Sequence, residues 1–400
     1  MTFMGRSTIM IGIVTPLKVN NYGTKLQAYA VQKKLQKFGY DNEIILYDQS
    51  KDFRFSVVLG KIFIPKKNVQ RIKSIFSNRK LKKQGIELKI KTRNRAIASL
   101  DDVCYKCTPV IRGYKNLILE GKKYDAIVCG SDQVWNPEAI GPGYSSVEFI
   151  SNTIKIAFSP SFGVSEIPDK MLPRYRSFLN DFLFLSSRED SGVKLIKKIT
   201  GKTALVTADP TLTLEKTDWE DYYQYSKIKI PTEPYIFCYF LGNIAEQRQI
   251  VKKLKEMTGY QIVAMPHFKC YVPADENYAD LNLFEVSPAD FIKLIANAEY
   301  ICTDSFHGMV FSNIFERNYF VFERYQQNDN KSTNSRIYSL LKMLGTTNRL
   351  IRTEQEMIEI YKKPIEYSEV NKKLAVLRKE TDCYLQKALS TVKRKEIEYV

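Results

Sequence analysis

The chain predicts an α/β protein: two doubly wound domains facing each other across a cleft, with helices closing the C-terminus. Three observations carry this. Short apolar runs rich in β-branched and aromatic residues alternate with stretches of helical period along most of the 400 residues. Strand after strand stops at a polar or glycine-containing loop, and in a parallel sheet those stops share one edge. The rhythm breaks over residues 213–233, where Pro231 and Pro234 read as a linker, and then restarts. The boundaries that follow are a first Rossmann-like domain over 1–225, a second over 226–348, and a helical tail over 349–400.

The first unit reads as βαβ. Residues 9–14 form an apolar run, and residues 24–38 place Ala28, Val31, Leu35 and Phe38 at helical spacing before Gly39. A second strand covers 43–47. Between the first strand and its helix lies Asn20-Asn21-Tyr22-Gly23, which is neither GxGxxG nor a Walker sequence. Its amides could hold a ligand or simply cap the helix, and capping is the commoner use. Strands at 124–129, 154–158, 182–185 and 204–207 follow. Their exits are Gly130-Ser131-Asp132-Gln133-Val134-Trp135-Asn136, Ser159-Pro160-Ser161-Phe162-Gly163, Ser186-Ser187-Arg188-Glu189 and Asp209-Pro210-Thr211-Leu212.

The second half repeats the pattern. Strands are expected at 235–241, 260–265, 300–303 and 319–322, with helices at 245–258 and 291–297 between them. Ser287-Pro288-Ala289-Asp290 is a capping box with proline at the first helical position. The most informative exit is Thr303-Asp304-Ser305-Phe306-His307-Gly308, where an apolar strand gives way to an apolar helix. A helix N-terminus at such a junction favours a phosphate or carboxylate. His307 is one of only two histidines in the chain. A satisfied core histidine is the competing interpretation.

Composition bounds the rest. Seven scattered cysteines with no framework spacing suggest a reduced, cytoplasmic protein, and the lone CxxC of Cys104 and Cys107 lacks the further ligands of a zinc site. No signal peptide precedes the first strand, and no apolar run approaches a membrane span. Net charge is +17, of which residues 51–100 alone supply fifteen Lys and Arg against Asp52 and Glu87. This window, part of a basic helical insertion over about 50–122, is either a solvated face or a surface for anionic lipid, a diphosphate-bearing acceptor or nucleic acid. No nucleic-acid fold signature is present, so nucleic acid is set aside.

Taken together, the strand exits resemble those of the polysaccharide pyruvyl transferase family. The matching stretches are residues 21–30, 130–136, 161–163, 187–189, 209–212 and 303–308, in the family's order; Asn334-Ser335-Arg336 also fits. Residues 51–100 and the tail after about 350 carry no such motif. The resemblance implies a fold like that of GT-B glycosyltransferases. It also implies transfer of pyruvate from phosphoenolpyruvate onto two hydroxyls of a sugar or oligosaccharide as a cyclic ketal, in capsule, exopolysaccharide or cell-wall polymer synthesis. Phosphoenolpyruvate is the donor substrate, and no cofactor or metal is expected. The family histidine matches His307 and a donor-binding arginine matches Arg188. Some members carry an arginine two residues before the histidine, where this chain has Ser305; Arg336, Arg324 and Lys25 are the candidates for that charge.

The chemistry suits these residue types. The donor is a trianion, which arginine and helix N-termini bind well. Ketal formation needs a proton on the methylene carbon and removal of two hydroxyl protons, so general acid–base groups are required. His307, Arg188 and Asp132 are expected to be catalytic. Asn21, Tyr22, Gly23, Ser131, Gln133, Trp135, Asn136, Ser305, Phe306, Gly308 and Arg336 are expected to bind donor or acceptor, with Tyr22 and Trp135 offering flat faces to a sugar. Glu189, Asp209 and Asp304 are candidate partners, although an aspartate before proline, as at 209, is more often a turn residue. Two rival classes share the fold: a nucleotide-sugar glycosyltransferase, and a non-catalytic, membrane-associated assembly protein. A cytoplasmic protein lying on the inner membrane face, with an acceptor that can be lipid-diphosphate-linked, is the expected setting. The basic window should then raise recovery with anionic over neutral vesicles in low-salt flotation, by about 1 kcal/mol per basic residue at the surface; equal recovery counts against it.

Overall fold

The computed structural model describes residues 8–49, 85–267, 272–325 and 334–394. The basic stretch 51–84 lies outside the described residues. Met10–Val14 is buried along its whole length, as a central strand covered on both faces must be. It pairs in parallel with Asp41–Ile44 on one side and Ala126–Cys129 on the other, and Ile154–Ala157 extends the sheet. A parallel bridge from Ile156 to Phe184 and the pair Ser186–Ser187 with Leu205–Val206 carry the same direction onward.

The second sheet has five parallel strands. Their order is Leu281–Asn282, Gln261–Met265, Tyr235–Tyr239, Tyr300–Thr303 and Asn318–Val321. Strand order reverses beside Met10–Val14 in one sheet and beside Tyr235–Tyr239 in the other. Those are the crevices where doubly wound sheets hold ligands. The expected α/β class with two doubly wound sheets and C-terminal helices is present.

Local differences from the sequence reading have simple causes. The first helix is Tyr22–Lys37, starting two residues early because the Asn21 side chain accepts a hydrogen bond from Thr24 N at 3.2 Å. The stretch expected as a linker contains the helix Lys216–Tyr223, whose Trp219 is fully buried and donates to Thr211 O. The tail helix Tyr367–Ser390 returns to the first sheet. Tyr384 donates to Ala157 O, Thr381 Oγ1 accepts from Ala208 N, and Arg378 donates to Leu212 O. No helix among the described residues is long and apolar enough to cross a membrane.

One hydrophobic core runs through both halves. Tyr22, Leu26, Ala30, Ile97 and Leu100 share it with Tyr239, Phe291, Phe306 and Phe311. Tyr22 stacks on Phe291, with ring centroids 5.0 Å apart, and donates its hydroxyl proton to Val286 O. Helix Ile86–Ala98 adds a polar strap. Its buried Arg93 donates to Pro266 O and Leu283 O, and Lys89 and Arg93 lie over the Phe284 ring. Arg93 is therefore a cross-domain anchor, not part of a solvated basic face. Phe291→Ala should cost about 3–5 kcal/mol and lower the urea midpoint of a single transition. Two separated transitions in the wild type would show that the halves do not share a core.

Candidate functional site

Five strand exits bring the site together. Helix Phe306–Ile314 is buried on every side, with Ser312 and Asn313 donating to its own carbonyls, so its position is set by the core and its first turn is delivered rigidly. The Ser305 side chain caps it by accepting from Gly308 N, and a Cβ on Gly308 would press within 2.6 Å of Thr303 Oγ1. Both residues shape the turn that presents His307. The expectation that Ser305 and Gly308 contact substrate is replaced by this capping and packing role.

His307 reaches across to the first domain. Its Nε2 lies 3.8 Å from Asp209 Oδ2 and has no hydrogen-bond partner. Its Nδ1 faces Gly23, where any Cβ would press within 2.0 Å of that nitrogen. Asp209 Oδ2 also takes a hydrogen bond from Arg188 Nη1 at 2.6 Å, while Oδ1 is held by Thr211 N and Thr211 Oγ1 at 3.0 and 2.6 Å. Arg188 Nε donates to Glu189 at 3.2 Å, and its guanidinium sits 4.6 Å over the Phe306 ring. Arg188 Nη2 is buried without a partner. Asp132 accepts from Thr24 Oγ1 at 2.7 Å and stands at positive φ, a conformation non-glycine residues rarely adopt.

The charges are interdependent. Burial lowers the His307 pKa below its usual 6.5, and Arg188 and Arg336 act the same way against the pull of Asp209 and Asp132. Against the cost of burial, Arg188 and His307 hold Asp132 below the ordinary carboxylate range; His307, Arg188 and the Thr211 hydrogen bond do so for Asp209. Burial opposes the charge on Arg188, yet Glu189, Asp209 and Asp132 push its pKa up. Burial, then Arg188 and Arg324, bring Arg336 down to about 10. Arg336 lines one small cavity with Arg188, Glu189, Asp209 and Phe306. Of the other cations considered, Lys25 is bound to Asp101 at 2.6 Å, and Arg324 Nη2 donates to Asp304 O at 3.1 Å.

Several expected contacts are corrected. Trp135 is fully buried among Phe162, Phe178 and Phe182, so it is a core residue with no face for a sugar. Tyr22 is spent between the domains, as described above. Ser131 donates from N to Gln27 Oε1 and from Oγ to Ser159 O, which leaves it structural. Asn21 is the helix cap, and Asn136 Oδ1 accepts from Glu138 N within its own turn. Gln133 is not among the corrected residues: half-buried beside Gly163, it has an Nε2 without a hydrogen-bond partner. Two residues rise in importance: Thr24, through Asp132, and Asp209, which the proline after it made look like a turn residue.

The family model for polysaccharide pyruvyl transferase matches residues 21–324. The chain belongs to that family. Every site residue named above except Arg336 falls inside the matched region. Among solved structures, the UDP-GlcNAc 2-epimerase of Neisseria meningitidis bound to UDP-GlcNAc matches with a TM-score of 0.53 and 11% identity, covering 95% of this chain and 99% of that one. The putative UDP-N-acetylglucosamine 2-epimerase of Listeria monocytogenes matches at 0.50 and 11%, covering 99% and 100%. These likenesses establish a GT-B-type fold and nothing finer. No curated protein matches the chain.

The tight approach of Gly23 to His307 makes a prediction free of any charge change. Gly23→Ala should displace the imidazole by about 1 Å and cost about 10²-fold in turnover, with melting close to wild type. Normal turnover in the folded variant would show that the ring position does not matter.

Proposed function

We propose that this transferase moves the pyruvyl group of phosphoenolpyruvate onto two hydroxyls of a sugar as a cyclic ketal and releases phosphate. The supporting observation is a pair of buried polar atoms without partners, Arg188 Nη2 and His307 Nε2, on groups that share Asp209 Oδ2. Other buried side-chain atoms among the described residues also lack partners, Trp135 Nε1 and Arg349 Nη1 among them, but these two sit on groups that share one carboxylate oxygen. A compact anion supplies a common partner, because it accepts from both. Arg336, beside Arg188, adds a second guanidinium for a donor that carries a carboxylate and a phosphate.

The steps follow from the residues. Proton transfer to the methylene carbon makes the donor's central carbon electrophilic, and a sugar hydroxyl attacks it. Phosphate then leaves, and the second hydroxyl closes the ring. One hydroxyl proton ends on the new methyl group and the other on phosphate, so the balance closes. His307 is the proton carrier: neutral in the free site, it takes up a proton as the trianionic donor arrives. Asp132, ionised and oriented by Thr24, is the base toward the acceptor hydroxyl. The acceptor belongs to a capsule, exopolysaccharide or cell-wall polymer precursor, and the basic window suits one held at an anionic membrane surface.

The nucleotide-sugar alternative is disfavoured by the second domain's crevice. There the amides Leu241 N and Gly242 N, which could hold a diphosphate, both donate to Asp304 at 2.7 Å. Arg93 occupies the neighbouring strand exits at Pro266 and Leu283. Release of phosphate rather than a nucleotide separates the two reactions directly.

Arg188→Ala would strand two buried carboxylates and cost stability as well as activity, so Arg188→Lys is the cleaner variant. It should raise the phosphoenolpyruvate KM by the equivalent of about 1.5–3 kcal/mol. His307→Gln should lose about 10²–10⁴-fold in turnover while still binding donor. A folded glutamine variant with near-normal turnover would remove His307 from the chemistry; an unchanged KM would remove Arg188 from the donor site.

A further inference from the structure

We infer that Asp209 is a positioning residue through which donor binding at Arg188 readies His307 for proton transfer; this rests on the donor reading above. Three features of the geometry support it. Asp209 Oδ2 is the one oxygen shared by the two groups, 2.6 Å from Arg188 Nη1 and 3.8 Å from His307 Nε2. Its other oxygen is fixed by the amide and hydroxyl of Thr211, so the carboxylate cannot swing to favour one neighbour. The pairing also bridges the halves of the molecule: Arg188 and Asp209 leave the first sheet's edge, and His307 comes from the second.

This arrangement makes Arg188 a competitor for the charge His307 needs. With the site empty, Arg188 draws on Asp209 and, through Nε, on Glu189. An anion at the unpartnered Nη2 offsets the positive charge of Arg188, and the fixed Asp209 charge then acts on the imidazole with less opposition. The other charged groups facing His307 are Asp132, which also favours the imidazolium, and Arg188 and Arg336, which oppose it. An anion bound between the two arginines offsets both opposing charges. Donor arrival and readiness of the acid are then one event, and an empty site keeps its histidine neutral.

Histidine NMR of the full-length protein tests this, because the chain contains only His267 and His307. Asp209→Asn should lower the His307 midpoint by about 1 unit or more, as expected on removing an opposite charge at this range, and leave His267 in place. Turnover should fall at least about 10-fold, with the acid limb of its pH profile displaced to lower pH. Phosphoenolpyruvate without acceptor should raise the midpoint in the wild type and raise it by less than half as much in the variant. Thr211→Val, which keeps the charge but removes one anchor, should fold and lower turnover by about 3–10-fold. If phosphoenolpyruvate binds and Asp209→Asn leaves both midpoint and pH profile unchanged, Asp209 is only structural and the inference falls. If Asp209→Asn does not fold, unaltered turnover in Thr211→Val has the same meaning. If phosphoenolpyruvate neither binds nor shifts the wild-type His307, the donor reading and the coupling fall together, while the variant's midpoint still decides whether Asp209 tunes the ring.

Discussion

The wedge of helix Tyr22–Lys37 against the second domain is the constraint on which the rest depends. At its first turn Tyr22 stacks on Phe291, Gly23 lies against the His307 ring and Thr24 holds Asp132. Three consecutive residues thus set the domain contact, the histidine's position and the orientation of the facing carboxylate. The burial of Tyr22 and Phe291 in a core continuous between the sheets fixes the relation of the halves. A site divided between domains needs that fixity, since proton transfer and anion binding tolerate little misplacement.

The site is built at a cost in stability. Arg188, Asp209 and Glu189 are each at most 5% exposed. Taking such groups out of water is expensive even when they are paired, and a hydrophobic set of the same volume would often serve the fold as well. Arg336 lies within the influence of two other guanidinium groups, which depresses its own pKa. Asp132 and Ser159, at neighbouring strand exits, both stand at positive φ. Unpaired donors, clustered like charges and positive-φ residues thus gather at one sheet edge, as strained groups do at functional sites.

Much of this could be read in the sequence, for a definite reason. A parallel sheet places all its strand exits on one edge, so locating exits in the sequence locates the residues that converge, and His307, Arg188 and Asp132 lie within one another's electrostatic reach. What the sequence could not show was which way each exit residue turns. Trp135 and Tyr22 share motifs with Asp132 and Gly23, yet aromatic residues at an exit can face a cleft or a core, and both face the core. Ser131 is spent on Gln27 and Ser159, partners 104 and 28 residues away. Asp209 was discounted because Pro210 follows it, and it does cap the short helix Pro210–Thr213. One carboxylate has two oxygens, and local spacing accounts only for the oxygen used in the cap.

The second sheet shows how a GT-B-type fold can fill one of its own crevices. Its crevice lies beside Tyr235–Tyr239, and the amides at the end of that strand are the natural place for a diphosphate. Here Asp304 takes both, supplying from within the chain the negative charge that such a ligand would bring. Being one residue from Ser305, Asp304 also ties that crevice to the turn that presents His307. The same six-residue stretch therefore occupies the amides at the end of Tyr235–Tyr239 with its second residue, caps a helix with its third, and reaches the first domain with its fifth. A ligand that takes those two amides must first displace Asp304, whereas at the other crevice the Arg188 Nη2 and His307 Nε2 atoms have no partner to displace.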